Sequence, residues 1–130
     1  MTIAATANLT MAATALSHHA SQGTVDTETN VRVTATLTKV DWINPHTWLH
    51  FDMTSPDGRV LYDVMMETLS VTAMRQAGID SATFPLGERY EVTYFPDRNG
   101  TAGGFITEMV LPEGRIFNVK NRALISASPS

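Results

Sequence analysis

Four histidines, two tryptophans and no cysteine bound the chemistry open to this chain. Both tryptophans and two of the histidines fall in one stretch, "WINPHTWLHFD", at residues 42 to 52. Imidazole can bind a metal or exchange a proton near neutral pH, and an indole beside it supplies an apolar floor. Pro45 cannot donate to a sheet ladder and pushes Asn44 out of helical conformation, so Asn44-Pro45 makes a bend between two strands. Past the bend the side chains alternate, with His46, Trp48, His50 and Asp52 on one face and Thr47, Leu49, Phe51 and Met53 on the other. At ~3.3 Å per residue His46 and His50 stand roughly 13 Å apart. One ion cannot take both, because metal–nitrogen bonds are only ~2.0–2.1 Å. A metal here needs one of these histidines joined by a group from elsewhere, such as His18, His19 or Glu67. The alternative is a ligand groove in which Trp48 lies between His46 and His50, with Trp42, Asn44 and Glu67 as further lining residues. The plainest reading is a bent, packed strand with no ligand at all.

The other two histidines follow a segment without any charge, "MTIAATANLTMAATALS". Residues 1–17 read as a weak or truncated secretory signal, with small and apolar residues leading into Ala13-Thr14-Ala15 but no basic start. Export to the periplasm or beyond is the expectation. A cut after Ser17 would make His18 the terminal residue, whose amine and imidazole chelate Cu(II). A cut after Ala15 would leave Leu16-Ser17-His18, a square-planar nitrogen site suited to Cu(II) or Ni(II). Copper is thus the one cofactor the sequence suggests, through His18, His19 and His46. The bland counterpart is a pair of exposed histidines on a mobile tail.

At 130 residues the chain is one domain, and 43% hydrophobic against 17% charged residues is enough to build a core. A net charge of −4 argues against nucleic acid, whose binders need clustered Lys and Arg. No stretch approaches the ~20 apolar residues of a membrane span. Catalytic patterns are weak. Asp63 and Glu67 lie four apart near a strand end, Ser70 and Ser81 lack the glycines of a nucleophile elbow, and Arg98 reads as a turn residue. Nothing matches a P-loop, dinucleotide-binding or zincin pattern. The leading reading is a non-enzymatic module that binds a small ligand or a protein partner. A metal-handling protein is the second reading, and a small cofactor-free lyase or isomerase using His46 or His50 as base the third.

The elements that must position these residues are mostly strands. Residues 18–30 read as a linker, rich in polar and turn-forming residues. From Val31 the apolar residues alternate with Arg and Thr, giving a half-buried strand, and "HTWLHFDM" alternates again. "SPDG" at 55 to 58 is a hairpin turn into the third strand, "RVLYDVMME". "TLSVTAMRQAG" then changes period and predicts a helix of two or three turns, capped by Thr68 or Ser70 and stopped by Gly78. "RYEVTYF" and "GFITEMVL" are two strands joined by a loop containing Asn99-Gly100, and "RIFNV" is a last short strand. Three strands, a helix and further strands in that order predict a mainly β fold. It would be a small five- to six-stranded barrel of the oligonucleotide/oligosaccharide-binding type over residues 31–120. Residues 121–130 read as a flexible tail.

The quoted segments, together with "TLTKVDWINPH", "MRQAG", "PLGERYEVTYFPDRNGTAGG" and "LPEGRIF", resemble DUF6152, a family of small exported bacterial proteins of unknown function. Members typically carry a His-His pair after the signal peptide and a T-x-V-x-W-x-N-P-H strand and turn. The likeness runs over roughly residues 18 to 117 and is strongest at Trp42, Asn44, Pro45 and His46. Gly87-Glu88, Glu113-Gly114-Arg115 and "TLSVTAM" depart from the family pattern, the last at the usual helix start. The resemblance implies export and a small β fold, and it implies no reaction.

Overall fold

The computed structural model describes residues 24–126. Strands β1 (Val31–Asp41), β2 (Trp48–Thr54), β3 (Val60–Glu67), β4 (Arg89–Pro96) and β5 (Gly104–Val110) follow the alternating segments of the sequence. β1 pairs antiparallel with both β2 and β4, β2 with β3, and β4 with β5. A parallel bridge, Glu67↔Phe105, joins β3 to β5 and closes five strands into a barrel of the predicted type. Inward residues such as Leu37, Leu49, Phe51, Met66, Val92 and Ile106 are fully buried, as their alternation requires.

Closure depends on two glycines. Gly103 holds a positive φ of 96°, and a Cβ there would come within 2.7 Å of the Met65 carbonyl of β3. A Cβ on Gly104 would overlap the backbone of Phe95. No other residue lets β5 lie this close to both neighbours.

The one helix among the described residues, α1 (Val71–Gln76), is shorter than the periodicity predicts. Thr68 and Leu69 stay with the sheet, since Thr68 N–H donates to Thr47 O and Thr47 N–H donates to Leu69 O, both at 2.9 Å. Ser70 is therefore the cap, its Oγ accepting from Ala73 N–H at 3.1 Å. Ala73 and Met74 of the helix are buried with Ile79 and Phe84 of the following loop.

Two boundaries need correction. Val25, expected in a linker, is buried and bridges Asp97, with the next residue's N–H, on Asp26, donating to the Pro96 carbonyl at 2.8 Å. The tail is also not wholly free. After β6 (Ile116–Asn118), residues of β7 (Ala123–Ile125) pair antiparallel with it, and Leu124 packs on the core. "ALI" is apolar enough to cover the edge that β6 would otherwise expose.

Candidate functional site

Two β-bulges decide what meets on the outer face of β2. Leu37 pairs with Phe51 but Lys39 with His50, so Thr38 is an extra residue in β1. The phase of β1 flips there, turning Val40 inward and setting Lys39 and Asp41 on the outer face beside His50 and Trp48. On the other side Val64 pairs with Phe51 but Leu61 with Met53, so Tyr62 and Asp63 together oppose Asp52. Asp63 takes a left-handed φ of 52°, which Asp tolerates better than most residues, and its N–H donates to Asp52 Oδ1 at 3.0 Å.

His50 is the focus of both bulges. Its Nε2 lies 2.7 Å from Asp41 Oδ2 and its Nδ1 lies 2.6 Å from Asp63 Oδ1. The ring is only 6% exposed although it sits on the outer face. Burial alone would pull its pKa down, but the bonds to Asp41 and then Asp63 outweigh it and leave the value raised. The bond from His50 in turn holds the Asp41 carboxyl below its ordinary range, with Lys39 Nζ at 3.4 Å as a lesser partner. With both ring nitrogens facing carboxylates, His50 offers no edge to a ligand or a metal.

His46 has a different partner. Its Nδ1 is buried and faces Oε1 of Glu67, which is its one partner among the described residues. Glu67 is 6% exposed, held where β3 meets β5 and opposite Trp48 on β2. With Nδ1 turned to the carboxylate, the Nε2 edge is the one that can act on something outside. On the core side of the same turn the hydroxyls of Thr47 and Thr68 are fully buried and have no hydrogen-bond partner among the described residues.

The remaining candidates serve the loop. The Asn44-Pro45 bond is cis, and Asn44 Oδ1 accepts from Val71 N–H at 3.1 Å, tying the bend to the start of α1. Trp42 stacks on Phe84 with ring centroids 6.0 Å apart and planes 14° from parallel. It lines a cleft of about 300 Å³ with Val71, Arg75 and Ile79, apart from the β2 face. The structure thus brings Trp48, His46 and Glu67 together, and gives Trp42 and Asn44 to a different surface. His18 and His19 lie outside the described residues, and no group of three or more His, Asp or Glu side chains among the described residues could hold a metal. Sequence reasoning missed Asp41, and weighed Asp63 only against Glu67 and not as a partner of His50. The visible signal was a break in alternation, with apolar residues three apart at Leu37 and Val40 and again at Leu61 and Val64.

The β2 face is open. Trp48 is half-buried, and on β3 Met65, opposite His50, and Tyr62, opposite Asp52, are 44% and 76% exposed. A polar groove of about 510 Å³ between Thr36, Asp52, Val60 and Arg89 lies farther along β1 to β3 and does not include His46 or Trp48.

Fold and site together define a closed five-strand barrel of the oligonucleotide/oligosaccharide-binding type, with a histidine–tryptophan face on its second strand. Residues 7–107 match a family of unknown function, DUF6152, and the chain belongs to that family. No curated protein and no solved structure matches it. No helix among the described residues is long and apolar enough to cross a membrane.

Proposed function

We propose that the chain is an exported, non-enzymatic binding module that recognises a ligand or partner laid across the outer face of β2 and β3. His46 is the polar anchor and Trp48 the apolar floor. The observation that carries this reading is the buried Glu67 set against His46. Burying a carboxylate is costly unless something holds it, and packing alone would not call for one. Its effect is to fix the ring through Nδ1 and leave Nε2 as the edge that meets a ligand, while Glu67 itself lies opposite Trp48. The open form of the face, with Tyr62 and Met65 exposed on the next strand, supports an extended ligand or a protein surface over a small molecule enclosed in a pocket. His50 is committed to two carboxylates, which removes one of the two candidate bases and weakens the lyase or isomerase reading. Export rests on the Ala13-Thr14-Ala15 pattern of the leader.

Trp48 can report on this directly. In a Trp42→Phe variant it is the sole tryptophan, and its fluorescence should respond to binders in a panel of peptides and oligosaccharides. His46→Ala should abolish the response. A response carried by Trp42 in the wild type and absent from the single-tryptophan variant would move the site to the cleft beside α1.

A second reading is a Cu(II) site. A carboxylate behind an imidazole is the arrangement that orients metal-binding histidines, and Glu67 stands in that place behind His46. The further ligands would be His18 and His19.

A further inference from the structure

The cluster around His50 has a chemistry of its own, independent of any ligand on the β2 face. Ionised carboxylates only accept hydrogen bonds, and a neutral imidazole has a single N–H to give. Both ring nitrogens of His50 face carboxylate oxygens, at 2.6 and 2.7 Å, so the arrangement is satisfied by the doubly protonated ring. The charged groups around it are Lys39 and Asp41 on β1, Asp63 on β3 and Asp52 on β2 itself, while Met65, directly opposite on β3, is uncharged. The two carboxylates are not equally secure. Asp41 is only 31% exposed and also meets Lys39. Asp63 is 70% exposed, on a left-handed residue of the bulge, in a strand whose outer edge pairs, among the described residues, only through Glu67↔Phe105.

We propose that His50 is a proton-operated clamp: protonated, it ties β1, β2 and β3 together across both bulges, and on losing its proton it releases Asp63 and loosens the β3 side of the hairpin. The neutral ring keeps one N–H for Asp41 and turns a lone pair toward Asp63, so that contact changes from attraction to repulsion. Release frees the bulge and the edge that carries Val60 and Tyr62, both already exposed. The raised pKa of His50 sets the direction. The clamp contributes its full stability below the ordinary histidine value of ~6.5 and loses it as pH rises through the raised folded value. At the acid end it fails when pH falls through the lowered value of Asp41.

Nitrogen NMR of the histidine rings in the full chain tests this together with amide hydrogen exchange. Both His50 nitrogens should be protonated at neutral pH. As His50 loses its proton, the protection of amides 62 to 65, corrected for the intrinsic rate, should fall roughly tenfold for each unit by which its pKa is raised. Asp63→Asn should remove that fall, since Asn tolerates the left-handed backbone and its amide can donate to a neutral ring. A His50 that is neutral at neutral pH would overturn the proposal. So would protection that stays constant through its titration in the wild type, a comparison that needs no variant to fold.

Discussion

His46 and His50 sit on one face of one stretch, yet their ring nitrogens leave them different things to do. His50 has carboxylates on both sides, whereas His46 meets Glu67 on one side only. Removing His46 takes a partner from the buried Glu67 carboxylate, so His46→Ala should cost about 1–3 kcal/mol of stability. Adding Glu67→Gln should recover part of the loss, and a double-mutant cycle by urea denaturation measures the coupling. Additive effects would show that the two groups do not interact. Thr47 and Thr68 make a prediction of opposite sign. Their buried hydroxyls have no partner among the described residues, so Thr47→Val should raise stability by about 1 kcal/mol. A loss on that substitution would mean that the hydroxyl is held after all.

The elements were largely legible in the sequence, and the site only half so. Alternation assigned the faces of β1 and β2, the Asn44-Pro45 bend fell where Pro geometry put it, and Ser70 was one of two proposed caps. The pairing of Asp41 and Asp63 with His50 was not legible, because it depends on two register shifts between strands. Periodicity along one strand carries no information about its neighbour's register beyond the break in phase at Thr38 and Asp63. Trp42, read as part of one groove with Trp48, belongs to the packing of the end near α1, since it stacks on buried Phe84. Trp42→Ala should therefore destabilise the barrel by about 2–3 kcal/mol, less than the ~3–5 of a fully buried aromatic. An unchanged denaturation midpoint would contradict that placement. Gly104→Ala should be costlier in proportion to its size, because the added carbon meets the backbone of Phe95.

For the molecule as a whole, closure through Glu67↔Phe105 puts the buried carboxylate at the seam of the barrel and its histidine on the rim, with the recognition face beside them. The copper reading makes a separable forecast. If His46 and the His18-His19 pair cooperate, Cu(II) binding should drop in His46→Ala and in a His18→Ala/His19→Ala variant alike. Loss in the second variant alone would assign copper to the amino-terminal segment and leave His46 to the proposed face. The most direct test of that face is a set of amide NMR spectra of the labelled chain, titrated with the same panel of peptides and oligosaccharides. The expected shift changes cluster at residues 46 to 50 and 62 to 67 and vanish in His46→Ala. Changes confined to Trp42, Val71 and Arg75, or unaffected by the loss of His46, would contradict it.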